Sequence, residues 1–173
     1  MIIDSVKAEK AAVINTAEQM CAAARTAPKT RGIDNIVTKI LTEEDIIKLS
    51  DKMLEVGTEG TSILRDGHNI LKASAVVLIG VRRAVYGINC AYCGYENCEK
   101  CSSEKGFCIF AGTDLGIAIG SAVSVAADLR IDNRVMFSIG RVFALMEEAG
   151  DEDIIWMGIP LSTSGKSPFF DRK

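Results

Sequence analysis

Five of the six cysteines in this chain, Cys90, Cys93, Cys98, Cys101 and Cys108, fall within nineteen residues. The spacing is C-x2-C-x4-C-x2-C-x6-C, in a stretch otherwise built of Gly, Asn, Tyr and Glu. A soft metal needs thiolates that converge, and two cysteines two residues apart can present theirs from one turn. Gly87 and Gly94 let the backbone fold tightly there, and amides freed in such a loop can donate to sulfur. A 4Fe–4S cube takes four thiolates, commonly three close together and one more distant. Cys90, Cys93 and Cys98 with Cys108 match that arrangement. Zinc would instead use Cys90, Cys93, Cys98 and Cys101 as two C-x2-C pairs. Only four residues separate those pairs, against roughly 15–20 in a four-cysteine ribbon. Disulfides formed in air are the third reading. Cys108 or Cys101 is left over in one scheme or another, and Cys21 reads as a small buried hydrophobe on a helix.

The rest of the chain sets the context. At 173 residues it suits one domain, 1–173, with 86–110 as a cysteine-rich insertion. Its 20 basic and 23 acidic residues give a net charge of −3, which argues against a phosphate-binding surface for nucleic acid. The N-terminus shows no basic stretch followed by an apolar run. The longest apolar stretches, 73–81 and 115–127, fall short of the roughly 20 residues that span a bilayer. A cytoplasmic protein off the membrane is the expectation, and reduced thiols go with that compartment.

Apolar periodicity predicts a first helix from Asp4 or Ser5 to just before Pro28. Residues 35–41 are β-branched and read as a strand. Thr42 followed by Glu43, Glu44 and Asp45 starts a helix that ends at Gly57. Residues 61–72 form a weaker helix, and 75–81 a strand buried on both faces. From Tyr86 to Cys108 the pattern reads as loop. Thr113 or Asp114 caps a helix to about Leu129, Asp132 starts another that Gly150 closes, and 153–160 is a final strand. Gly112, Gly116, Gly120 and Ser124 form a ridge of small residues four apart, read first as tight internal packing. His68 stands alone, and Ser162 to Lys166 reads as a polar loop. No nucleophile elbow or paired carboxylates support hydrolysis.

NCAYCGYENC (89–98) resembles the small iron–sulfur domain of electron-transfer and carbon-monoxide-metabolism proteins. Residues 21–36, 114–127, 132–140 and 158–172 resemble an uncharacterised family containing a ferredoxin domain. The segment AAARTAPKT and the order of elements are also similar to the nitroreductase-like flavoprotein fold. That likeness implies an α+β fold, a mixed sheet flanked by helices, with the cysteine-rich metal-binding loop added. It also implies FMN bordered by Pro28, Lys29 and Thr30, with Lys166 and Arg172 toward its phosphate. The basic R-R-S-type motif that opens nitroreductases has no counterpart before Asp4. The family resemblance further implies a homodimer, with the small-residue ridge as a candidate interface. The combined expectation is an iron–sulfur redox protein serving a redox partner protein, with a zinc-holding structural domain as the alternative.

Overall fold

The computed structural model describes residues 2–150 and 153–170. The central element is β2, Ala75–Arg82, whose residues are buried on both faces up to Arg82. An unbroken apolar run of this kind has to be covered on each side. β1 (Ile36–Leu41) and β4 (Ile154–Ser162) flank it, and the short β3 (Asp132–Asn133) lies outside β4, giving the order β1-β2-β4-β3.

One face carries α1 (Ser5–Thr26) and α5 (Ile109–Asp128). Their inward residues, among them Val13, Ala17 and Met20 of α1 and Leu115, Ala118 and Ala122 of α5, form one core with Val77 and Ile159. The other face carries α2 (Glu43–Val56), α3 (Ser62–Ile70) and α6 (Phe137–Phe143). Leu49, Met53, Ile70 and Phe143 pack there on Val76 and Trp156. Phe143 meets the Trp156 ring edge-on, with centroids 5.3 Å apart.

The α+β class and the nitroreductase-like layering hold. Every described strand pairing is antiparallel, however, where a mixed sheet was expected. The connection explains it: α2 and α3 form a helical hairpin between β1 and β2, so the chain returns reversed, whereas a single crossover helix would restore its direction.

Four local expectations are corrected. Residues 98–103, expected as loop, form a short helix α4 (Cys98–Ser103) capped by the Asn97 side chain. α5 begins at Ile109 with Cys108 as its cap, because Asp114 points into the core instead of capping. Asp132 starts no helix: it pairs with Ser162, and a bridge between Met136 and Gly158 keeps the backbone extended until Phe137. The ridge on α5 faces outward, for a Cβ added at Gly116 or Gly120 would meet nothing within 4 Å.

At 20 residues with mean hydropathy 1.6, α5 is the one described helix long and apolar enough to cross a membrane by length and composition. Its inward face is a layer of this sandwich.

Candidate metal centre

The chain leaves β2 at Arg82 and reaches α5 through the cysteine loop, all at one end of the sheet. There the Arg83 amide donates to the Asp153 carbonyl at 2.8 Å. Asn89, Ala91, Gly87 and Gly94 adopt left-handed backbone conformations (φ 55, 59, 68 and 84°) that wind the loop tightly. Gly106 packs closely for a different reason: an added Cβ would lie 2.4 Å from the Tyr95 ring and push it aside.

All six cysteines are free thiols. Cys101 is fully buried and Cys108 is 6% exposed, while Cys90, Cys93 and Cys98 are half-buried. The Asn89 amide donates to Cys98 Sγ at 3.2 Å, and Asn89 Oδ1 accepts from the Cys98 amide at 2.9 Å. Burial first, then a hydrogen bond with the Cys93 thiol, pushes the Cys101 thiol up, and Cys93, Cys108 and Cys98 act on it in the same direction. Cys21 is half-buried on α1, away from this group.

Among the described residues, no group of three or more His, Cys, Asp or Glu side chains is placed to hold a metal ion. A lone zinc draws four ligands to about 2.0–2.3 Å from one point. In an iron–sulfur cube each thiolate binds a different iron, so the sulfurs stand further apart. The donor set here is all thiol, and it already includes an N–H···S contact of the kind that such clusters accept.

Beneath the loop lies a network that sequence reading missed. Asp114, 1% exposed, accepts from the Thr30 amide (3.0 and 3.2 Å), the Thr30 hydroxyl (2.8 Å) and the Tyr86 hydroxyl (2.7 Å). Asn35 Nδ2 donates to that phenol oxygen at 3.3 Å, and Arg31 Nη1 donates to the Tyr86 carbonyl at 2.7 Å. Tyr86 enters the loop and Asp114 follows its exit, so the network closes the loop at its base. The available signal was one acid inside the apolar run 109–127.

Burial, above all, pushes the Tyr86 phenol up to about 12; Asn35 opposes this, and Asp114 and Cys108 reinforce it. The folded value lies above that of an unfolded tyrosine, about 10. The associated stability is therefore whole below pH ~10 and is lost as pH rises toward 12. Absorbance titration at alkaline pH is expected to show a late phenolate step that Tyr86→Phe removes.

The residues implied for a flavin are not brought together within one chain. Pro28 is exposed. The Lys29 ammonium turns back to cap α1, donating to the carbonyls of Ala24 (3.1 Å), Arg25 and Ala27 (2.8 Å). Thr30 is engaged with Asp114. Lys166 follows the end of β4 opposite the one that pairs with Arg82, whereas Thr30 is tied through Asp114 to Tyr86, four residues beyond Arg82. A nine-residue strand spans about 27 Å. Arg172 lies outside the described residues. Lys29→Met is expected to cost about 1–2 kcal/mol in thermal unfolding without changing flavin content. Unchanged stability with loss of flavin would contradict this.

His68 is exposed on α3, and Ser162 is buried as the last residue of β4. An open polar cleft of about 480 Å3 beside α4 is lined by Arg83, Val85, Ser102, Lys105, Gly106 and Asp153.

An antiparallel sheet between α1–α5 and α2–α3–α6 layers, with a thiol-rich loop leaving β2, defines a nitroreductase-like fold. A nitroreductase with bound FMN from Desulfitobacterium hafniense DCB-2 superposes with TM-score 0.61 at 16% identity, over 88% of this chain and 78% of that one. A nitroreductase family protein from Clostridium novyi NT gives 0.60 at 14% identity, over 99% and 79%. Such identities speak for the fold alone. An uncharacterized protein from Archaeoglobus fulgidus is 43% identical over 164 residues, covering 88% of each chain. The family model for uncharacterized proteins containing a ferredoxin domain (DUF2148) matches residues 104–172. The chain belongs to one family with the Archaeoglobus protein, and its residues 104–172, which hold Cys108 alone of the five clustered cysteines, carry the match to the ferredoxin-domain model.

Proposed function

We propose that this chain is an electron-transfer protein whose cysteine loop holds an iron–sulfur cluster of the 4Fe–4S type. The observation that carries the reading is an all-thiol donor set on one loop, the free cysteines from Cys90 to Cys108, with the Asn89 amide already donating to Cys98 Sγ. The match of residues 104–172, which include Cys108, to a family described as containing a ferredoxin domain supports it. When bound, such a cluster takes up and releases single electrons.

The chain's own residues would set the conditions for this. The Asn89 amide stabilises negative charge on the Cys98 sulfur, a contact that raises the reduction potential. The first turn of α5, capped by Cys108, presents the helix's positive end to the thiols. The Asp114 network holds the loop's two ends together, so the thiols keep their places whether or not metal is present. The FMN of the solved nitroreductases belongs to those proteins. With Lys29 and Thr30 engaged internally, no flavin step is assigned here.

A redox partner protein and a reducing, cytoplasmic setting complete the proposal. So does pairing of two copies, for which α5 offers an outward face of Gly116, Gly120 and the exposed Ile109 and Ile117. Anaerobically purified protein is expected to show a broad visible absorbance that dithionite bleaches and a mild oxidant restores. Sedimentation of the same sample reads its oligomeric state. A colourless, redox-silent protein would overturn the reading.

A further inference from the structure

We propose that the cleft beside α4 is a binding site for a small oxyanion, a carboxylate or a phosphate, held by Arg83 and Lys105. The site needs no metal, so it stands or falls apart from the cluster reading.

At about 480 Å3, the cleft falls within the roughly 300–1,000 Å3 of small-molecule sites. Its walls come from three parts of the chain. Arg83 and Val85 lie where β2 runs out toward the cysteine loop, Ser102, Lys105 and Gly106 at the close of α4, and Asp153 just before β4. Two cations therefore share the lining with one acid. The chain as a whole carries 23 acids against 20 bases, so this balance runs against the composition.

Neither cation makes an ion pair among the described residues. Lys100, on the same helix, shows the contrast: it pairs with Glu104 at 2.7 Å. Like charges left unpaired in one concavity raise each other's energy, and an anion seated with them relieves it.

Arg83 is held ready for this. Its amide donates to the Asp153 carbonyl at 2.8 Å, and its guanidinium carbon lies over the Phe107 ring, 5.9 Å from the centroid. A guanidinium lying over a ring keeps the N–H groups at its edge for an acceptor, and that fork matches carboxylate or phosphate.

Lys105 has φ 53°, a conformation that residues other than glycine adopt at a cost. The turn that ends α4 imposes it, with the Lys105 amide donating to the Ser102 carbonyl at 3.1 Å and the Gly106 amide to the Cys101 carbonyl at 2.7 Å. Glycine is the usual residue at such a helix end. A lysine brings charge to the cleft instead. Ser102 adds a hydroxyl to the lining, and Val85 an apolar side chain against which a short carbon skeleton can rest.

The test titrates the purified full chain, kept reduced and at low ionic strength, with inorganic phosphate and separately with succinate. Calorimetry follows binding, and hydrogen exchange locates it. At least one anion is expected to bind saturably, with protection confined to peptides spanning 83–85 and 102–106. Phosphate alone would assign a phosphate ester as the ligand, succinate alone a carboxylate. Arg83→Gln and Lys105→Gln should each weaken binding about tenfold, as for loss of one charge-assisted hydrogen bond, while Lys100→Gln leaves it unchanged. Lys105→Gly should weaken it as much without lowering the thermal midpoint, since glycine suits that backbone. Titrations that do not saturate with either anion, protection centred elsewhere, or affinity that survives either Arg83→Gln or Lys105→Gln undiminished overturns the site.

Discussion

Asp114→Ala is expected to cost about 3 kcal/mol of folding stability, for the neutral donors that it leaves without an acceptor in the interior. The carboxylate is 1% exposed and accepts from the Thr30 amide, the Thr30 hydroxyl and the Tyr86 hydroxyl. Deleting it strands three donors, each of which costs about 1–3 kcal/mol when left unpaired in the interior. Thr30 is half-buried, so water can recover part of that loss. Asp114→Asn keeps the shape but sets an amide donor against the donors it replaces, and about half the loss is expected. Tyr86→Phe removes one donor only, for about 1 kcal/mol. Urea unfolding of the metal-free protein measures all three. Hydrogen exchange across 87–108 should rise in Asp114→Ala, because the network ties the loop's entrance to its exit. A variant within about 0.5 kcal/mol of wild type, the level of a neutral surface change, would show that this network does not hold the loop.

Gly140→Ala is expected to cost about 3 kcal/mol, at the upper end for overpacking. α6 lies directly on the β4 backbone: a Cβ at Gly140 would stand 1.9 Å from the Trp156 carbonyl oxygen. A backbone atom cannot swing aside as a side chain can, so the helix must lift from the sheet. The fit is mutual, since a Cβ at Gly158 would fall 2.1 Å from Ile139 Cγ2. Gly120→Ala is the matched control. It lies on an outward helix face where a Cβ meets nothing within 4 Å, and helix propensity should yield up to about 1 kcal/mol of added stability. Thermal unfolding distinguishes the two. Equal, small effects would mean that α6 does not approach β4 so closely.

Much of the fold was legible because it depends on local pattern. The strand 75–81 announced itself as an apolar run too short for a helix and too continuous for a half-exposed strand. Thr42 with three acids, and Gly57 fourteen residues after Glu43, marked both ends of α2.

The misreadings share a cause. Asp114 and Asp132 both have the residue type and position of a helix cap, and neither caps. Their partners lie far along the chain: Thr30 and Tyr86 for Asp114, Ser162 for Asp132. Long-range pairing of this kind leaves no trace in local sequence. The ridge on α5 was visible as a spacing of four. Spacing says that a ridge exists and nothing of which way it turns; the buried face follows Ala118, Ala122 and Ala126 instead.

The thiol cluster was legible as a cluster, since five cysteines within nineteen residues admit few accounts. Choosing among them was beyond spacing. Cys90-x2-Cys93 and Cys98-x2-Cys101 look alike on paper. The structure adds that the second pair lies on a short helix while the first lies in loop, which spacing could not say. The flavin-bordering residues were carried by likeness of fold, which says nothing of what each side chain binds. Lys29 caps the helix it follows.

The measurement that bears most directly on the central claim is the metal and sulfide content of freshly isolated, anaerobic protein. About four irons and about four labile sulfides per chain are expected, with zinc well below one equivalent. Stoichiometric zinc without labile sulfide would contradict the account and make the loop a structural site.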